Sequence, residues 1–363
     1  MYRLKIRLEV YFIIFNLFIS LLIPTKISAA TYNPKYDLNF DNQINLLDVI
    51  FLINVIFDIP NPSPNSTPTP KPSPKPTQIA IEWWKPTPDK PINWHWQLSQ
   101  DFDPDRDMLP NKTVYDIDGE KATAADVAKI RQNAKTKYGI DNVIVICYFD
   151  AGVWENYRSD AGKFPGSASK GIAYTGDPQY ANINLIGSKD VGWEGSFWMD
   201  VRRTDILRPL MEARIKSWCK DKGFDAIEPD ETEVWSNNNG FSITKAQNNS
   251  YNIMIAELAH KYNLSVGLKG NTTEAGELVQ YFDWTLNEEC WQYNECGLQN
   301  GTNVGAFIKA GKAAFNIEYS ANPNCTQSNL YHLNSAKRDL DLMGPTSKSY
   351  SYIPCIPDSQ NNW

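Results

Sequence analysis

From residue 81 onward, short apolar runs that end in acidic residues alternate with longer stretches of helical periodicity. HWQLS (95–99), TVYDID (113–118), NVIVICYFDAG (142–152), SFWMDVR (196–202), GFDAIEPD (223–230), LSVGLKGN (264–271), FDWTLNEEC (282–290) and AAFNIEYS (313–320) read as strands. Between several of them lie ATAADVAKIRQNAKTKYG (122–139), ILRPLMEARIKSWCKDKG (206–223) and TKAQNNSYNIMIAELAHKYN (244–263), which read as helices. Eight strands alternating with helices over about 250 residues predict a (β/α)8 TIM barrel for residues 81–363. An open doubly wound sheet would also want a Gly-rich phosphate turn after an early strand, and GxGxxG is absent.

The pattern upstream differs. Arg3, Lys5 and Arg7 precede an apolar run from Val10 to Pro24, and Ser28-Ala29-Ala30 supplies small residues, so residues 1–30 are expected to be a secretory signal. The run falls short of the roughly 20 residues that span a bilayer, and no other segment is apolar enough to do so, so no membrane attachment is expected after cleavage. Residues 59–80 contain NPSPNSTPTPKPSPKPT, a Pro/Ser/Thr-rich linker of extended polyproline character. Between signal and linker, residues 31–58 hold DLNFDNQINLLD, with oxygen-bearing side chains at Asp37, Asn39, Asp41, Asn45 and Asp48 and with Gln43 placed to offer its carbonyl. That spacing, followed by the apolar helix VIFLINVIF, is a calcium-loop pattern. Asn42 stands where such loops prefer Gly. This front module resembles one repeat of a dockerin, which implies Ca2+ as its ligand and a cohesin-bearing scaffold as a partner. Dockerins carry two such repeats, and here there is one.

Charge narrows the partners. Loss of Arg3, Lys5, Arg7, Lys26 and Glu9 with the signal takes the net charge from -7 to -10, which argues against nucleic acid and favours a cationic or neutral ligand. Of the six cysteines, Cys290 with Cys296 and Cys325 with Cys355 are placed to form disulfides in an exported chain, while Cys147 and Cys219 are expected as buried thiols. The three histidines, His95, His260 and His332, lack metal-ligand or triad spacing, so no catalytic cofactor is expected.

The chemistry is carried by acids. In a barrel of this type, residues at the C-terminal ends of the strands face the active-site mouth, and Asp116, Asp118, Asp150, Asp200, Glu228, Asp230, Glu288, Glu289 and Glu318 all fall at such ends. So many carboxylates on one face repel unless a cation compensates. Two carboxylates without a histidine or nucleotide loop are the minimum for glycoside hydrolysis, one protonating the leaving oxygen and the other attacking or activating water. Trp83, Trp84, Trp94, Trp96, Trp154, Trp193, Trp198 and Trp291 lie mostly near strand ends, where indole faces pack on pyranose rings. Trp96 and Trp154 are assigned to sugar contact. For each tryptophan, packing in the core or at the rim is the competing role.

These residues resemble glycoside hydrolase family 114, the endo-α-1,4-polygalactosaminidases. The likeness runs from about Trp83 to Tyr319 through WQL (96–98), VYDID (114–118), VICYFDAGVWENYRSDAGKFP (145–165), GWEGSFWMDVR (192–202), GFDAIEPDE (223–231), YNIMIAELAH (251–260), VGLKGN (266–271), NEECWQYNEC (287–296) and GKAAFNIEY (311–319). It implies a secreted, endo-acting enzyme that cleaves α-1,4-linked galactosamine polymers, whose cationic chains would suit the acid-rich mouth. It puts the catalytic pair on Asp230, as nucleophile, and Glu288, as general acid/base, and implies retention of configuration. Retention requires the two carboxyls about 5–5.5 Å apart, inversion about 6.5–9.5 Å. Asp118, Asp200, Glu228 and Glu318 are assigned to amine and hydroxyl contacts, against the competing role of ion pairs with Arg202 or Lys269. Lys269 and Asn271 are expected to orient the acids. The chain departs from the family at Asp150, where Ser is common, in Glu231-Thr232-Glu233 after EPD, and in residues 166–191. A barrel hydrolase of another α-linked polysaccharide, or an inactive carbohydrate-binding relative, are the alternatives.

Overall fold

In the computed structural model the described residues are 83–297 and 303–355, all within one compact unit, 79–363. The signal, the calcium-loop module and the linker lie outside the described residues. The chain forms β1 (Trp94–Gln97), β2 (Val114–Asp118), α1 (Ala124–Tyr138) and β3 (Ile144–Asp150), then an insertion of β4 (Val153–Glu155), β5 (Ile186–Lys189) and β6 (Ser196–Met199). There follow α2 (Thr204–Arg214), β7 (Ala226–Asp230), α3 (Lys245–Lys261), β8 (Ser265–Lys269), α4 (Ala275–Leu278) and β9 (Trp284–Glu288). The last described elements are α5 (Gly305–Lys309), β10 (Ala314–Glu318), α6 (Cys325–Leu330), β11 (Leu333–Arg338) and β12 (Tyr352–Pro354).

One curled sheet runs β1-β2-β3-β7-β8-β9-β10-β11-β12, parallel throughout except for β12, which pairs antiparallel with β11. This is a TIM-like α/β fold. The run VIVICYF makes β3 apolar on both faces, as a central parallel strand covered by helices must be. Local signals start and stop the helices. Thr123 with Asp126 and Thr244 with Gln247 form capping boxes on α1 and α3, and Gly139 ends α1 in the left-handed conformation at φ 70°.

Two expectations change here. Residues 196–202 do not enter the large sheet, because β6 pairs antiparallel with β4 and β5 in a separate three-stranded sheet. The eighth parallel strand is β11, LNSAKR, whose polar sequence hides its burial. It can be polar because it closes the curled sheet against β1 through side chains. The Arg338 guanidinium donates to the carbonyls of Trp96 and Met343, and Asn334 Oδ1 accepts from Ile92 N at 2.7 Å. The cysteines also differ from expectation. Cys290–Cys296 and Cys325–Cys355 are bonded, but Cys147 and Cys219 are no thiols: they form a third disulfide, tying β3 to the π-helical turn Ile215–Lys220 that continues α2. Seventy-two residues separate them in sequence, so only packing of α2 on the sheet brings them together.

Candidate active site

Three neighbouring strands, β7, β8 and β9, deliver Asp230, Lys269 and Glu288 to one point. Each chain then leaves the sheet through a left-handed residue immediately after its site residue: Glu231 at φ 55°, Gly270 at 56° and Glu289 at 57°. A left-handed glutamate is uncommon, and two of them beside site carboxyls mark a tightly determined turn. Gly152 serves the same corner. A Cβ there would lie 1.6 Å from the Glu231 carbonyl oxygen, so only glycine lets the β3 end approach the turn after β7.

Lys269 Nζ donates to Asp230 Oδ1 at 2.9 Å and meets Glu288 Oε2 at 3.0 Å, with Glu228 Oε1 at 3.6 Å as an ionic neighbour. Burial alone would pull the ammonium down, but Asp230, Glu288 and Glu228 outweigh it and hold Lys269 well above its ordinary value. Because both oxygens touch one nitrogen, they are at most 5.9 Å apart. Asp230 Oδ1 also accepts from Glu231 N at 2.7 Å, and its Oδ2 lies 3.0 Å from the Tyr148 hydroxyl, which is 3.2 Å from Asp150 Oδ1. The hydroxyl's one hydrogen can serve Asp230 or Asp150, and burial first, then Glu155 and Asp230, push the Asp150 carboxyl well up. Glu288 Oε1 makes a short hydrogen bond with the Tyr319 hydroxyl.

Below this point sits a second carboxyl pair. Asp116 on β2 and Glu228 on β7 are fully buried, and no protein donor among the described residues reaches either carboxyl. Burial raises Asp116 to about 7, and burial and Asp116 together push Glu228 well up. Lys269 covers them, its nitrogen 5.0 Å from the centre of the Trp96 ring.

Two cavities flank Asp230, Glu231 and Glu288. The first, about 350 Å³, is lined among others by Trp96, Asp118, Tyr148, Asp150, Arg158 and Trp193. The second, about 390 Å³, lies between the turns after β7, β8 and β9. A larger cavity, about 780 Å³, lies at the opposite ends of the strands around Ile92, Val114 and Ile144, with no catalytic group. Among the described residues, potential metal ligands gather only at Cys290, Cys296 and Glu318, where the sulfurs are consumed by a disulfide.

The structure therefore brings Asp230, Glu288, Lys269, Asp118, Asp150 and Trp96 to the cleft. Asn271 lines the second cavity, where its amide spans Thr232 Oγ1 at 2.6 Å and Glu233 Oε2 at 3.1 Å. It does not bring four others. Asp200 is clamped by Arg202 at 2.7 and 2.8 Å outside both cavities. Glu318 accepts from Trp291 N and Asn316 and braces the turn after β9. Glu228 is sealed under Lys269. Trp154 is buried with its indole donating to Ala161 O, core packing and not a sugar platform.

Sequence reasoning missed Tyr148, Tyr319, Arg158, Glu231 and Glu233. Tyr148 was readable from strand parity, since it shares a face with Asp150 two residues on. Arg158, in a loop, bears no such signal. It is buried and joins Glu155 at 2.6 Å, Asp118 at 2.7 Å and Asp150 at 3.5 Å.

A carboxyl pair held at strand ends, with open cleft on both sides and a cation between, is the equipment of a glycoside hydrolase. The comparisons agree. The model of "Glycoside-hydrolase family GH114" matches residues 73–353, and the chain belongs to that family. Among solved structures the chain is similar to the Aspergillus fumigatus Ega3 complex with galactosamine, at 25% identity and a TM-score of 0.58 over 74% of this chain and 98% of that one. The glycoside hydrolase domain of PelA from Pseudomonas aeruginosa aligns at 10% identity and a TM-score of 0.46, over 69% and 96%. No curated protein matches the chain.

Proposed function

We propose that the protein is an exported, endo-acting hydrolase of α-1,4-linked galactosamine polymers that retains anomeric configuration. The observation that carries the mechanism is the single Lys269 nitrogen contacting both carboxyls, since an Oδ1–Oε2 separation of at most 5.9 Å falls short of the inverting range of about 6.5–9.5 Å. Asp230 attacks the anomeric carbon while Glu288 gives its proton to the departing glycosidic oxygen. Glu288 then takes a proton from water as that water displaces Asp230 from the glycosyl-enzyme. Tyr148, Lys269 and Glu231 N hold Asp230 in one orientation, and Tyr319 holds Glu288.

Galactosamine bound to the similar Ega3 supports the substrate, and the acid-lined cleft supports a cationic one. Cleft on both sides of the pair supports cleavage within a chain. Three disulfides support export to an oxidising compartment. Residues 31–58 are proposed to bind Ca2+ through Asp37, Asn39, Asp41, Gln43, Asn45 and Asp48 and to dock on a cohesin-bearing scaffold. Calorimetric titration of the full chain with calcium, against an Asp37→Ala, Asp41→Ala variant, tests this. Equal heats would end the calcium reading.

The deciding assay is reducing-end release from partially deacetylated α-1,4-galactosaminogalactan, with chitosan and starch alongside. Release from the galactosamine polymer alone is expected. Turnover of starch alone would keep the carboxyl pair and discard the substrate.

A further inference from the structure

The second cavity has features that hydrolysis by Asp230 and Glu288 leaves unexplained. It lies across the pair from the first cavity, and six carboxyl groups line it against Lys269 alone, which is already engaged by Asp230 and Glu288. Glu231 follows the proposed nucleophile in its left-handed turn, and among the described residues no protein donor reaches its carboxyl. Glu233 takes one hydrogen bond on Oε2 from Asn271, and its Oε1 is packed where a Cβ on Gly270 would stand 2.3 Å away. Gly270 thus makes room for an acid that the protein does not neutralise.

Acids alone would be only a charged surface. Two other observations point to a ligand. Asn287 lines the same cavity at 3% exposure, and among the described residues its Oδ1 has no partner, although buried acceptors are normally satisfied. Tyr293, at the rim, is 62% exposed and offers an aromatic face of the kind that packs on sugar rings.

We propose that this cavity is a sugar subsite selective for a de-N-acetylated hexosamine, with Glu231 and Glu233 accepting its ammonium group, Asn287 Oδ1 accepting a further N–H or hydroxyl, and Tyr293 covering the ring. The proposal rests on the galactosamine-polymer reading above and adds where deacetylation is sensed. An N-acetyl group there would set a neutral amide against carboxyls that need a cation. Burial, then the charge of Asp230, raises Glu231 to about 9 and Glu233 to about 8, the direction expected of carboxyls that lack a cation partner.

Glu233→Gln keeps an acceptor for Asn271 and removes the charge. On fully deacetylated polymer its kcat/KM is expected to fall about tenfold or more through KM, with a smaller fall on partially acetylated polymer, so that discrimination between the two shrinks. Tyr293→Ala is expected to raise KM on both. An equal fall on both polymers for Glu233→Gln, or no fall, overturns the subsite while leaving the hydrolase reading intact. If the wild-type protein cleaves no galactosamine polymer, that reading fails. Calorimetry of galactosamine oligosaccharides on Asp230→Asn, with and without Glu233→Gln, then decides the subsite separately. Equal affinities overturn it; weaker binding with the double change supports it.

Discussion

Two acidic walls meet at Asp230, and the fold treats them oppositely. On the β2–β3 side, Asp118, Asp150 and Glu155 crowd around Arg158, which burial disfavours but Glu155 and Asp118 hold firmly charged. On the β7–β8 side, Glu231 and Glu233 have no cation of their own. The first wall is an internal ion cluster whose acids are committed to structure; the second is charge held in reserve. The density of acids is similar, and the difference is one arginine contributed by a loop. A count of carboxylates therefore does not locate substrate contacts. The subsite proposed above lies where protein cations are missing.

Asp230 belongs to both walls, and its loss is expected to have the largest effect. Asp230→Asn should lower kcat about a thousandfold or more while the melting temperature moves by only a few degrees. An unfolded variant would make Asp230 a structural residue and the comparison one about stability alone.

Arg158→Met tests the compensated wall directly. Removing the cation strands three buried acids, and urea denaturation should show a loss of about 3–5 kcal/mol. Unchanged stability would mean that these acids are solvated and the two walls alike.

A matched pair sharpens the contrast. Glu155→Gln should cost about 1.5–3 kcal/mol, because it gives up a charged hydrogen bond to Arg158. Glu233→Gln should cost little at pH 5 and should melt higher than the parent at pH 9. Glu233, facing Asp230, Lys269, Glu288 and Glu231, has its folded pKa raised to about 8, so the stability tied to its proton is present below the ordinary carboxylate range and is lost as pH rises through 8. Parallel melting curves across pH for parent and variant would remove the distinction.

The smallest effect is expected at the rim. Trp193 is 55% exposed beside the first cavity, so Trp193→Ala should change stability by less than about 0.5 kcal/mol while raising KM for polymer a few-fold. A large drop in stability would place the indole in the fold and not in the cleft.

The order of strands and acids was legible from the chain because the helical and strand periods are local. Apolar runs ending in Asp or Glu identified β2, β3, β7, β9 and β10, the apolar run ending in Lys269 identified β8, and the family likeness placed Asp230, Glu288 and Lys269 at the ends of strands. Position at a strand end says that a residue can face the cleft, but not that its carboxylate is free. Asp200 lost that freedom to Arg202 and Glu318 to the turn after β9, and Trp154 was drawn into the core, each through contacts with groups that approach only when separate elements pack. β11 escaped notice because its buried polar residues are satisfied across the seam to β1, by partners some 240 residues away. The Cys147–Cys219 bond and the Arg158 cluster have the same origin. Local periodicity determined the elements and the acids they carry; three-dimensional packing alone decided which acids received a cation, because charge compensation depends on distance in space and not on separation along the chain.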